Sequence, residues 1–244
     1  MIIVTIFHEA LVRPLFNLLV LIADAVPAHD LGLAIIILTL ITRVVFYPLA
    51  QKGLRSQKIL QNLQPQIKEL QRLHKGSREE QSKAVMALYR ENKVSPFAGI
   101  VPMLIQLPIL FALYRVFLNG LDTSALSDLY SFVSPPETLN TIFLGIVDLA
   151  KPSPVLAVLA GLFQFLQSWL TFNHGKKDKS EAADAPKSSG MQKMIGRQML
   201  YIMPFFTIVI ALRFPAGLAL YWAVTTLFSA FQQYSINRSM QKKG

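Results

Sequence analysis

The sequence contains no cysteine, which excludes disulfides, thiolate metal sites and a lipid-modified cysteine. Charge is also scarce: Asp, Glu, Lys and Arg make up only 16% of the 244 residues, where soluble domains carry roughly a quarter. Hydrophobic residues reach 52%. Several apolar stretches come near the roughly 20 residues that a spanning helix needs. An ordinary soluble domain is therefore excluded in favour of a multi-span membrane protein. The four histidines, His8, His29, His74 and His174, all lie outside those stretches. The stretches hold no aspartate or glutamate either. A proton relay or ion-coupled pump would place carboxylates or histidines there. No phosphate-binding glycine loop, zinc motif or nucleophile–base set is present, so nothing calls for an enzyme, a metal or an organic cofactor.

What is there reads as five spans: 31–50 within the segment 30–50, 97–118, 154–172, 199–213 and 216–234, with "FPAG" at 214–217 turning the chain between the last two. The fourth is short and is expected to tilt or to end below the surface. The predicted fold is all-α: a polytopic membrane protein with a five-transmembrane-helix bundle, a cytoplasmic helical hairpin over 51–96 and an N-terminal interfacial helix over 1–29. The formal charge of +10 alternates across the bilayer. Residues 51–96 carry ten Lys and Arg against four acids, 173–198 carry six against three, and the tail 235–244 carries three basic residues and no acid. The loop 119–153 has one basic residue, Lys151, against Asp122, Asp128, Glu137 and Asp148. The positive-inside rule then puts the hairpin, the 173–198 loop and the tail in the cytoplasm and the 119–153 loop outside, with the N-terminus outside and the C-terminus inside.

Residues 1–29 admit three readings. Ala23 and Ala25 could form the A-x-A site of a signal peptide, but the start is apolar rather than basic. A sixth span is burdened by Glu9, Arg13 and Asp24. An interfacial helix on the outer surface is the favoured expectation. In the hairpin, Leu60, Leu63, Ile67 and Leu70 recur at helical spacing, and Pro65 is expected to kink or restart that helix. "HKGS" at 74–77 makes a turn, and Ser77 with Glu80 fits a capping box that opens a second helix carrying Val85, Leu88 and Tyr89 on one face. Such a hairpin either projects into the cytoplasm or lies on lipid headgroups. Residues 173–190 read as a flexible polar linker.

Arg43 is the anomaly. It lies inside the first span, where a guanidinium costs about 2.5–3.5 kcal/mol even on mild insertion scales. It sits about 18 Å along the helix from Leu31, cytoplasmic of centre, so snorkelling is one explanation. Arg115, near the outer end of the second span, is a clearer snorkeller. With no carboxylate in any span, the remaining offsets are a water-filled cavity or an acid that arrives with a substrate. Polar residues elsewhere favour the cavity. Gln164, Gln167, Ser168 and Thr171 share one helix face. Trp222, Thr225, Ser229 and Gln232 share another, with Tyr221 and Gln233 adjacent. Thr39 lies one turn before Arg43, with Thr42 beside it, and Gln106 contributes from the second span. Any single stripe could be interhelical hydrogen bonding; four stripes and an unpaired arginine point to a shared hydrophilic groove. Pro102, Pro108 and Pro204 interrupt the second and fourth spans.

The segments "IIILTLITRVVFYPL", "LQPQIKELQ", "ALYRENKVSPFAGIVPMLIQLPILFALY" and "RFPAGLALYWAVTTLFSAFQQ" resemble the YidC/Oxa/Alb membrane protein insertases, in register from about Pro14 to Arg238. The resemblance implies a five-helix core with a positively charged groove closed to the outside, in which Arg43, Thr39 and the aromatic pair Tyr221 and Trp222 hold the groove positions. Many bacterial members carry tyrosine where Trp222 stands, so an aromatic surface is expected there without a hydroxyl. The absence of a large external domain suggests a minimal bacterial form in the plasma membrane. Insertion and folding of nascent membrane proteins is the implied function, by drawing a short, often acidic, segment toward Arg43 while an apolar span slides into lipid. The implied partners are nascent membrane proteins, the lipid bilayer, a Sec translocon and the signal recognition particle pathway. Weak ribosome binding is expected from the hairpin and from Arg238, Lys242 and Lys243. Two other classes fit the same polar stripes, a small solute or ion channel and a passive assembly scaffold. Conductance and loss of insertion in an Arg43→Ala variant separate them.

Overall fold

The computed structural model describes residues 2–99, 106–111, 113–114, 128–134, 139–173 and 189–241. Most of the expected second span, Arg115, Pro102, His174, the linker 174–188, and Lys242 and Lys243 lie outside the described residues. The described residues are predominantly helical. Helix α1 (Ile2–Phe7) passes through a π-helical turn, His8–Val12, into α2 (Arg13–Ala25). The stretch Thr5–Ala25 is long and apolar enough to cross a membrane. Two of its charged residues pair: Arg13 Nη1 donates to Glu9 Oε2 at 2.9 Å one turn away.

Helix α3 (Leu31–Val45) begins at a strong cap. Asp30 is buried, and its Oδ1 accepts from the Gly32 and Leu33 amides at 2.7 and 3.1 Å. This gives an acceptor to two of the amide donors that a helix start leaves unpaired. The helix stops at Val45, short of the expected Ala50, and α4 (Tyr47–Asn62) leaves at a bend of 67°. Pro48 explains the break, since it has no amide to donate to the Val44 carbonyl one turn back. Helices α5 (Gln64–Leu73) and α6 (Arg78–Glu91) follow. Leu63, Ile67 and Val94 bury a small separate cluster with Leu60, Val85, Leu88 and Tyr89 packed on it. Ser77 Oγ caps α6 by accepting from the Glu80 amide at 3.3 Å. The return half of the capping box does not form, because the Glu80 carboxylate meets His74 Nδ1 at 3.3 Å instead.

A small hairpin, β1 (Ile142–Phe143) paired antiparallel with β2 (Val147–Asp148), precedes α7 (Pro154–Asn173). Helix α8 (Ser189–Ala211) starts ten residues before the expected Met199 and runs unbroken through Pro204. Gly161 of α7 lets it approach closely: a Cβ there would overlap the Ile208 side chain, the small-residue contact that membrane helix packing favours. Helix α9 (Ala216–Gln241) continues past the expected end of its span at 234. The main core joins Phe16, Leu19 and Ala23 of α2, Ala34, Ile35 and Leu38 of α3, Leu156 and Ala157 of α7, and Leu218, Leu220 and Tyr221 of α9. Helix α9 packs along α7 and crosses α3, and this crossing places Arg43 opposite Tyr221.

By length and composition, two described helices can cross a membrane, Thr5–Ala25 and Pro154–Thr171, and the bent pair α3–α4 makes a third candidate. Leu200–Ala211 is apolar but shorter.

Candidate functional site

Arg43 occupies the last turn of α3, half-buried. Its Nη2 donates to Gln106 Oε1 at 3.3 Å, a long contact to a neutral amide. Arg43 also interacts electrostatically with Tyr221 across the α3–α9 crossing. Gln106 and Thr225 adjoin the Tyr221 hydroxyl. They do so without hydrogen-bond geometry: Tyr221 Oη and Thr225 Oγ1 are buried and have no hydrogen-bond partner among the described residues. Gln232 Nε2, two to three turns further along α9, is in the same condition. Orphaned buried polar atoms are uncommon, and each costs free energy until water or a ligand supplies a partner.

Other predicted residues are satisfied locally. Thr39 is buried and its Oγ1 donates to the Ile35 carbonyl at 2.6 Å; Thr42 does the same to Thr39 at 2.9 Å. Ser229 Oγ donates to the Thr225 carbonyl at 2.9 Å. These hydroxyls turn back onto their own helices, as Ser and Thr commonly do in apolar surroundings. On α7, Gln164 and Gln167 are half-buried and Ser168 is buried, and among the described residues none of the three bonds to Arg43 or Tyr221. The structure thus brings together Arg43, Gln106, Tyr221 and Thr225. Thr39 and Ser229 flank them, and the α7 stripe forms no direct bond to them.

The aromatic pair divides between two environments. Tyr221 faces the polar side. Trp222 instead lines an apolar cavity of about 450 Å³ with Leu110, Phe111, Ile210, Phe214 and Leu218. Consecutive helical positions differ by about 100° in direction, so one helix can present a polar face to Arg43 and an apolar face to lipid.

Three residues that the sequence reading left out prove to carry polar contacts. Asn237 Nδ2 donates to the Leu170 carbonyl at 3.2 Å while its Oδ1 accepts from Gln233 Nε2 at 3.1 Å, tying α9 to α7. Asn17 and Asp30 hold the opposite end of the molecule. The i, i+4 spacing of Gln233 and Asn237 was the available signal for the first. Asn17 and Asp30, beside local bonds, find further partners more than 100 residues away.

Among the described residues there is no cluster of three or more His, Cys, Asp or Glu side chains arranged to hold a metal ion. The site offers one guanidinium, hydroxyls and amide groups. That set binds anions and peptide polar groups; it supplies no nucleophile with an adjacent base.

The sequence profile described as 60Kd inner membrane protein matches residues 22–243. The chain belongs to that family. The Membrane protein insertase YidC of Magnetococcus marinus is 37% identical over 87% of this chain and 33% of its own length. That of Syntrophobacter fumaroxidans is 33% identical over 86% of this chain and 35% of its own. The Oceanobacillus iheyensis protein of the same name is 33% identical over 87% of this chain and 76% of its own. The chain therefore spans about a third of the first two relatives and most of the third. Family membership and the apolar helices together make this a bacterial membrane protein, and the motif resemblance from Pro14 to Arg238 falls almost wholly within the matched 60Kd region.

Proposed function

We propose that this chain inserts nascent membrane proteins into the bacterial plasma membrane and assists their folding. Arg43 is the observation that carries the reading. A guanidinium at membrane depth, held among the described residues by one long bond to the neutral Gln106 amide, is a standing attraction for an anionic group. A translocated segment with an acidic residue would displace Gln106 and form a charge-assisted bond, roughly twice as strong as a neutral one. The orphaned hydroxyls of Tyr221 and Thr225 would then find partners in the same segment or in the water that accompanies it. An adjoining apolar span would meet the Trp222 face of α9 and pass into lipid, where burial of its side chains drives release. Thr39, Gln164, Gln167, Ser168 and Ser229 line or support the path. No covalent step and no nucleotide is required.

The same reading takes five spans, an outer N-terminus, a cytoplasmic hairpin over α4–α6 and a cytoplasmic C-terminus, on the charge asymmetry of the loops. Weak, salt-sensitive ribosome contact through the hairpin and Arg238 belongs to it as well. The Sec translocon and the signal recognition particle pathway are candidate partners on the family's chemistry alone. The decisive experiment reconstitutes the purified chain in liposomes and scores insertion of a small two-span substrate with an acidic external tail. Wild-type protein inserts it and Arg43→Ala does so poorly, with Arg43→Lys between them because a point charge survives without the planar fork. Equal insertion by wild type and Arg43→Ala sinks the groove-charge mechanism. Ion conductance without insertion favours a channel.

A further inference from the structure

The hairpin Ile142–Asp148 does not have the chemistry of a turn in water. The Ile146 amide donates to the Phe143 carbonyl at 3.0 Å, closing a four-residue turn whose central residues are Leu144 and Gly145. Both have positive φ, 50° and 73°. Tight hairpin turns of this kind strongly favour Asn-Gly or Asp-Gly, because Asn and Asp tolerate left-handed backbone and are well solvated. Leucine at such a position is strained. Its neighbours are no more suited to water: Ile142 is 47% exposed, Leu144 60% and Ile146 82%. The tip 142–147 carries no charge. The polar residues are withdrawn to the base, where Asp148 pairs with Lys151 at 3.0 Å.

The hairpin's position is fixed. Asp30 Oδ2 accepts from the Leu144 amide at 2.9 Å while Oδ1 caps α3. The Leu31 amide donates to the Asn140 carbonyl at 3.0 Å, and the Phe143 ring fills the space left by Gly32. The tip is therefore bolted to the N-terminus of α3, at the level where that helix meets the membrane surface. Helix α7 starts a few residues on from β2, and its exposed Val155, Val158, Leu162 and Leu166 form a continuous apolar stripe of the sort that faces lipid. The tip adds a second exposed apolar surface, carried just before the start of α7.

We infer that the Ile142, Leu144 and Ile146 side chains of this hairpin form a lipid-binding wedge that inserts into the headgroup–acyl boundary of the leaflet at the N-terminal end of α3. The wedge rests on membrane residence alone and does not depend on the insertion mechanism. Burial of these three side chains in the boundary offsets the strained Leu144 backbone. It also fixes the depth of α3, and hence the depth of Arg43 along the bilayer normal.

The cysteine-free sequence makes the test direct. Single variants Ile146→Cys and Ile142→Cys are labelled with an environment-sensitive fluorophore and reconstituted in phosphatidylcholine nanodiscs. Lys151→Cys at the hairpin base serves as the aqueous control. A blue-shifted emission at 146 and 142, quenched by nitroxide carried near the phospholipid headgroup and protected from aqueous iodide, is the expected result, with the reverse at 151. Iodide quenching at 146 and 142 equal to that at 151, with no quenching by labelled lipid, overturns the wedge. So does a blue shift that persists without lipid quenching, because the tip is then covered by protein.

Discussion

Two regions at opposite ends of α3 treat polar groups in opposite ways. At its N-terminus, Asp30 makes three hydrogen bonds, two to its own helix and one to Leu144. Beside it, Asn17 is buried on α2, where its Nδ2 donates to the Arg13 and Asp128 carbonyls and its Oδ1 accepts from the Tyr130 amide at 2.7 Å. Arg13 lies over the Tyr130 ring at 4.9 Å and donates to the Asp128 carbonyl at 3.0 Å. Polarity there is fully used, and it locks loops to helices. At the C-terminus of α3, among the described residues, the Arg43 side chain holds one long bond, and the hydroxyls of Tyr221 and Thr225 hold none. Saturated polar groups are what a structural joint requires. Unsaturated ones at membrane depth cost stability and are retained where a ligand will use them.

The comparison breaks first at the saturated end. Asp30→Ala removes the cap of α3 and leaves the part-buried Leu144 amide without its acceptor, which should destabilise the protein by about 2–4 kcal/mol. An unfolding titration in mixed micelles measures it, and a loss under about 1 kcal/mol would show that water replaces the carboxylate. The unsaturated end should respond in the opposite sense. Arg43→Leu should lower insertion of an acidic-tailed substrate about tenfold or more, since a charge-assisted bond is worth roughly 1.5–3 kcal/mol. The same variant should leave stability unchanged or raise it in the same titration, because a poorly paired charge has been replaced by an apolar side chain. Parallel losses of stability and insertion would make Arg43 a structural residue. Smaller again, Tyr221→Phe and Gln232→Leu should each stabilise by up to about 1 kcal/mol, by removing a buried group that has no protein partner. Destabilisation by either would reveal an ordered water bridging it.

The unsaturated end was the more legible in the sequence. Arg43 stands out against apolar neighbours, Thr225 falls on a helical stripe with Tyr221 adjacent, and Gln106 is a polar residue in the apolar second span. The division of Tyr221 from Trp222 was not legible, because it depends on which neighbour each face of α9 meets. At the saturated end the reading was weakest. Glu9 and Arg13 counted against a span in residues 1–29, yet they pair with each other and Arg13 reaches Asp128, 115 positions away. No local pattern encodes such a partner. The break after Val45 had a signal in Pro48 that the long apolar run obscured. Pro204 carried the same signal, yet α8 continues through it, so proline position alone does not settle where a membrane helix ends.

The smallest expected effect tests whether the saturated joint extends to the hairpin base. Lys151 donates to the Asp148 carboxylate, which also accepts from the Ala150 amide, and these contacts hold the Asp148 pKa below its ordinary value. A group whose folded pKa is depressed contributes stability above its unfolded pKa and loses it as pH falls through the folded value. The hairpin should therefore be held equally well at neutral pH and at pH 5, and should loosen only below about pH 4, where the unfolded carboxylate begins to take up protons. The Asp148 side chain is 31% exposed and its partner Lys151 is largely so, and the change is therefore small and salt-screened. Fluorescence of a label at Ile142→Cys, followed from pH 7 to pH 3 in nanodiscs, should show a low-pH transition that Asp148→Asn abolishes and high salt weakens. The same transition in Asp148→Asn would show that the Lys151–Asp148 pair is not its origin. The hairpin would then be held by its hydrogen bond to the α3 cap rather than by its own base.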